Sequence, residues 1–156
     1  MHQVSNHEIA RIFHEMAELL EMKNVEFKPR AYEKAALGVE GLDRELKDIF
    51  KEGGPKALME IPGVGKNIAE HIERLLKMGS FNEYEKLKKE IPVNITELSS
   101  VEGVGPKMIN VLYKELGIRN LGDLEKAARS GKISKLKRFG QKSEQKILKG
   151  IEFLKK

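Results

Sequence analysis

The sequence predicts an all-α protein made of two small helical subdomains, each carrying helix-hairpin-helix motifs. Three observations predict it. Apolar residues recur at helical spacing in nearly every segment. A glycine phrase occurs twice, as Ile61-Pro62-Gly63-Val64-Gly65-Lys66 and Val101-Glu102-Gly103-Val104-Gly105-Pro106. Between the two copies, Ile91-Pro92-Val93-Asn94 breaks the helical pattern where the charge balance also changes. The expected subdomains are residues 1–90 and 91–156.

The elements follow in order. Ser5-Asn6-His7-Glu8 reads as a capping box opening the first helix, with Ile9, Ile12, Phe13, Met16, Leu19 and Leu20 on its apolar face. Pro29 sits well at the start of a second helix bearing Tyr32, Ala35 and Ala36. A third is expected from about Asp43 to Lys51, stopped by Gly53-Gly54, and Pro55 opens a short helix through Met59. Lys66 to Lys77 has Ile68, Ile72, Leu75 and Leu76 on one face and Gly79 as its stop. Phe81 to Lys89, Thr96 to Ser99, Pro106 to Leu116 and Asn120 to Arg129 complete the predicted set before the last helix, with Gly117 and Gly131 as terminators. Leu136-Lys137-Arg138-Phe139-Gly140-Gln141-Lys142 reads as a third, weaker hairpin leading into that helix, which carries Ile147, Leu148, Ile151 and Leu154. In this register Arg138 stands where the other copies have Gly63 and Gly103. Val93-Asn94-Ile95-Thr96 alternates but is too short for a strand.

Composition excludes several function classes. No cysteine is present, so disulfides and thiolate metal sites are excluded. No apolar run approaches a membrane span, and no signal pattern opens the chain. The net charge of +5 is unevenly spread: residues 1–90 carry 15 Lys/Arg and 17 Asp/Glu, and residues 91–156 carry 14 and 7. The basic second half suits a phosphate backbone, although a solvated lysine face accounts for the charge equally well. The three aspartates, Asp43, Asp48 and Asp123, make no paired carboxylate site for two-metal phosphoryl transfer. His2, His7, His14 and His71 show no metal-binding spacing and read as ordinary surface histidines.

The chemistry therefore rests on the hairpins. Two glycines around one apolar residue make a tight turn that another backbone can approach. The amides after the second glycine lack intrahelical partners and face outward, a ready site for phosphate. The expected DNA-binding residues are Gly63, Gly65, Lys66, Gly103, Gly105, Lys107 and Lys142, with Lys135, Lys137 and Arg138 extending the contact. Hairpins of this kind can also hold a monovalent cation, K+ or Na+, on backbone carbonyls. The candidate donors are Met59, Ile61, Val64, Ser99, Val101 and Val104. No tightly bound cofactor is expected. The competing reading is that the hairpins are structural joints or protein-interaction surfaces.

These phrases, with Arg30-Ala31-Tyr32-Glu33-Lys34-Ala35-Ala36, Ile68-Ala69-Glu70 and Gly117-Ile118-Arg119-Asn120-Leu121-Gly122-Asp123-Leu124, resemble the N-terminal region of family X DNA polymerases, the group that includes DNA polymerase beta. The resemblance covers nearly the whole chain. It implies a lyase-type first domain binding the 5′ side of a DNA gap, and a second domain binding duplex near the primer terminus. The partner implied is gapped or nicked duplex DNA in base excision repair, bound by a cytoplasmic, nucleoid-associated monomer. The family's catalytic palm has no counterpart in these 156 residues, so this chain by itself is expected not to polymerise. The resemblance places Lys28, Tyr32, Lys66 and His71 at a 5′-phosphate pocket, where Asn67 and Met59 replace two further lysines. In lyase-active members a lysine forms a Schiff base with the abasic sugar; here that position is His71, which cannot form a stable imine. No catalytic residue is therefore assigned. A residual lyase reading would use Lys28, Lys34 or Lys66 as the amine and His71 as proton acceptor.

Overall fold

The computed structural model describes residues 4–156, so His2 lies outside the described residues. All regular elements among them are helical, as the sequence pattern predicts. They fall into two compact units, one ending at Ile91 and the other starting at Pro92.

In the first unit, α1 (Asn6–Met22) packs along α2 (Lys28–Glu40). Ser5 caps α1, its hydroxyl accepting from the Glu8 amide at 3.2 Å. Ile9, Phe13, Met16 and Leu19 of α1 are fully buried, and Ala35 and Ala36 of α2 let the two helices approach closely. Between them the chain passes through two residues of positive φ, Asn24 (62°) and Phe27 (68°). The third and fourth predicted helices form one element, α3 (Leu46–Met59), bent where Gly54 takes φ 67° and ψ −160°. Gly54 supplies the positive φ, and Pro55 restarts the helix without needing an amide bond. The start lies at Leu46 rather than Asp43, where the Leu46 amide donates to Asn6 Oδ1 at 2.7 Å. Helix α4 (Lys66–Met78) packs on α3 through a stripe of Ile68, Ala69, Ile72, Leu75 and Leu76. Each fully buried Leu or Ile contributes about 1.5–3 kcal/mol. Gly79, at φ 81°, ends α4, and α5 (Asn82–Glu90) returns to α1 with Tyr84 and Leu87 buried.

The second unit begins with a short α6 (Ile95–Ser99) capped by Asn94, followed by α7 (Pro106–Leu116) and α8 (Leu121–Arg129) capped by Asn120. The last helix, α9 (Gln141–Lys155), packs on α8. Leu98, Val101, Ile109, Leu112, Leu124, Ile133 and Ile151 form its core, each 1% exposed or less.

Candidate nucleic-acid interface

The three hairpins share one backbone design. In the first, the Ile61 amide donates to Leu58 O and the Val64 amide to Ile61 O, and α4 opens with Ala69 N to Gly65 O. In the second, Val101 N bonds Leu98 O, Val104 N bonds Val101 O, and Ile109 N bonds Gly105 O. The third repeats it: Leu136 N to Ile133 O, Phe139 N to Leu136 O, Glu144 N to Gly140 O. The apolar residues of the phrases, Ile61, Val64, Val101 and Val104, point inward and anchor the turns. Gly63 and Gly103 take φ 86° and 89°, where a side chain is strained, while Arg138 occupies the same register without a positive φ. In the third copy Glu144 is buried and accepts from the Ser134 amide at 2.9 Å, so a side chain braces that turn.

Helices α4, α7 and α9 each start from an extended glycine, Gly65, Gly105 or Gly140, with no side-chain cap. Their opening amides (Lys66, Asn67 and Ile68; Lys107 and Met108; Gln141, Lys142 and Ser143) precede the first intrahelical donor. A Cβ added at Gly65, Gly103, Gly105 or Gly140 would meet nothing within 4 Å, so another backbone can approach each of them. Gly63 is different. Its added Cβ would lie 2.7 Å from Lys34 O, and one at Gly38 would lie 2.0 Å from Pro62 O. The first hairpin is thus pressed against α2, and Gly63 serves that approach. Gly150 of α9 plays a comparable part beside the second hairpin, where an added Cβ would lie 2.9 Å from Val101 Cγ1. Lys66, Lys107 and Lys142 are exposed in the first turns of their helices, and Lys135, Lys137 and Arg138 are exposed ahead of α9. The Ile61 and Val101 carbonyls each accept one hydrogen bond, leaving one lone pair apiece.

The structure brings Lys28, Tyr32 and His71 together around a residue that the sequence reading missed, Glu83. Lys28 Nζ lies 3.4 Å from its Oε1, and Tyr32 donates to its Oε2 at 3.2 Å. His71 Nε2 lies 3.4 Å from the same Oε2. His71 is not an ordinary surface histidine: it stacks on Phe81 with ring centroids 4.1 Å apart and lies parallel to Tyr32 at 6.1 Å. Burial depresses the His71 pKa below its ordinary value, with the charge and hydrogen bonding of Glu83 opposing the shift. Burial, then the charge and hydrogen bond of Glu83, hold the Tyr32 phenol well above its usual range. Lys66 lines a different feature, a surface groove of about 830 Å³ bordered also by Met59, Glu70, Arg74 and Lys77. Glu83 escaped the sequence reading because it lies 51 residues from Tyr32 and looks like one more helix-surface acid.

Among the described residues no helix is long and apolar enough to cross a membrane, and no three His, Asp or Glu side chains are grouped to hold a metal.

Comparison with known proteins agrees with this geometry. The helix-hairpin-helix domain family matches residues 4–81, and the SAM-like helix-hairpin-helix tandem family matches residues 95–152. The chain is 34% identical over 145 residues to the DNA polymerase/3′-5′ exonuclease PolX of Bacillus subtilis (strain 168). That match takes in 92% of this chain and 24% of the relative, so the chain spans about a quarter of the relative's length. The resemblance to the N-terminal part of a family X DNA polymerase is thereby borne out. With the first family covering half of its residues, the chain belongs to the helix-hairpin-helix domain family.

Proposed function

We propose that this chain binds the sugar-phosphate backbone of DNA without reading base sequence, and that it favours gapped or nicked duplex. The observation that carries the reading is the set of uncapped helix starts at Gly65, Gly105 and Gly140, each open to an approaching backbone and each with a lysine in its first turn. Amides at a helix N-terminus favour a phosphate oxygen through unmet hydrogen bonds and the helix dipole. Contacts of this kind fix register on the duplex and carry no sequence information. The basic second unit supports the same reading by counterion release. Similarity to a DNA polymerase supports a substrate with a strand end, because polymerases act at strand ends.

In this proposal Gly65, Lys66, Gly105, Lys107 and Lys142 contact phosphate, and Gly63 and Gly103 shape the turns. A monovalent cation, K+ or Na+, completes the first two hairpins. Carbonyl oxygens of Met59, Ile61 and Val64, and of Ser99, Val101 and Val104, suit such a hard cation, which would neutralise a bound phosphate. The chain is proposed to act as a monomer.

A competition titration tests the reading. Labelled gapped duplex is displaced by intact duplexes of different sequence and by unlabelled gapped duplex. The expected result is equal competition by all intact sequences and stronger competition by the gapped form. Equal competition by gapped and intact DNA would remove the gap preference, and strong dependence on base sequence would remove the backbone reading.

A further inference from the structure

The two faces of α9 differ. Glu144, Ile147, Gly150 and Ile151 are buried within the second unit. On the other side Lys142, Lys146, Lys149 and Phe153 recur at i, i+4, i+7 and i+11, which sets them in one line along the helix. All four are exposed, Phe153 by 78%. Elsewhere on the same helix a lysine is neutralised: Lys155 Nζ lies 2.6 Å from Glu125, which Arg129 also contacts at 2.9 Å. Lys142, Lys146 and Lys149 have no acid partner, although Glu152 lies only three residues beyond Lys149. The charge of the stripe is therefore uncompensated. It begins at Lys142, in the turn whose free amides follow Gly140. From Lys142 to Lys149 the helix rises about 10 Å, at 1.5 Å per residue. One DNA strand carries a phosphate about every 3.4 Å of duplex axis, so the three ammonium groups match a run of about three phosphates. A merely solvated lysine face does not account for Phe153, whose ring is left in water at the far end of the line.

We infer that the outer face of α9 is a contact for a DNA strand, in which Lys146 and Lys149 continue the phosphate run from Lys142 and Phe153 stacks on a base left unpaired at a gap. The inference rests on the DNA-binding reading above and deepens it by giving the gap preference a residue. In an intact duplex each base is covered by its neighbours in the stack. Opposite a gap the template bases expose their faces, and an aromatic ring stacks on any of them without regard to sequence. The lysines act on both kinds of DNA, because each neutralised phosphate releases counterion.

The test compares the native chain with three variants on gapped and intact duplex over a salt series. Lys146→Gln/Lys149→Gln removes the two new contacts. Lys114→Gln/Lys126→Gln removes the same charge from exposed positions on α7 and α8 and serves as the control. Phe153→Ala removes the ring. All five side chains are exposed, so native circular dichroism is expected throughout. Expected for Lys146→Gln/Lys149→Gln is a salt dependence shallower by about 1.8 in log K against log salt on both duplexes, at about 0.9 per phosphate, with little change in the control. Phe153→Ala is expected to lose at least about fivefold in affinity for gapped duplex and to bind intact duplex as before. Equal slopes in the two lysine variants would show that charge acts only at long range and would overturn the inference. So would a Phe153→Ala variant that weakens both duplexes alike or neither, or a native chain with salt-sensitive binding but no gap preference. A native chain without salt-sensitive DNA binding would instead sink the function on which the inference rests.

Discussion

Gly63 and Gly103 occupy the same place in two copies of one motif, yet their surroundings give them different burdens. Both take a positive φ that costs a side-chain-bearing residue about 1–2 kcal/mol. Only Gly63 also lies against another backbone, with Lys34 O 2.7 Å from the position of an added Cβ. A carbonyl within a helix cannot swing away as a side chain could. Gly103→Ala is therefore expected to lower stability by about 1 kcal/mol, and Gly63→Ala by roughly 2–4 kcal/mol once overpacking is included. Urea denaturation followed by circular dichroism reads both. Equal losses would show that the first hairpin does not depend on its close approach to α2. The glycine pairs were plain in the sequence, but the partner of Gly63 was not, because the approach of Gly38 to Pro62 joins segments far apart in the chain. Phe27 was hidden in the same way: nothing in Glu26-Phe27-Lys28 signals a φ of 68° or a side chain 86% exposed.

The helices themselves were largely legible. Caps at Ser5 and Asn120, the proline start of α7 and the glycine ends of α4 and α7 are local signals, and each helix ends within a few residues of them. The bend at Gly54 shows the limit, since Gly53-Gly54-Pro55 reads as a stop although the chain resumes its helix at once. The third hairpin was half legible. Its single glycine marks the start of α9, while the buried Glu144 that braces the turn looks like a surface acid. A half-buried acid, Glu18, lies on α1. Glu18 Oε2 has no hydrogen-bond partner, and burial, reinforced by Glu15, pushes the Glu18 pKa up to about 7. Its folded value exceeds its unfolded one, so the associated stability is complete below pH 4.5 and is lost as pH rises through 7. Glu18→Gln is therefore expected to raise stability at pH 8 by on the order of 2 kcal/mol and to change little at pH 4.5. Thermal melts of both proteins at the two pH values check this, and an equal gain at both would rule out the protonation account.

At the scale of the whole molecule, two units share one device and differ in charge. The net charge of residues 1–90 is −2 and that of residues 91–156 is +7. The second unit is the stronger candidate for long-range attraction to DNA, and the first gathers Lys28, Tyr32 and His71 around the carboxylate of Glu83. Both units present an uncapped helix start with open space before it, and the proposed DNA binding depends on those amides holding phosphate. The most direct measurement is the DNA affinity of a Gly65→Asp/Gly105→Asp variant. Both glycines have extended backbones that any residue adopts, and an added Cβ meets nothing. Aspartate is also a favourable N-cap, so its carboxylate would take up the free amides and leave the fold at least as stable. Phosphate binding by these amides predicts an unchanged or higher melting temperature together with at least about a tenfold loss of affinity for duplex DNA at fixed salt. A stable double variant that binds DNA as tightly as the native chain would contradict it.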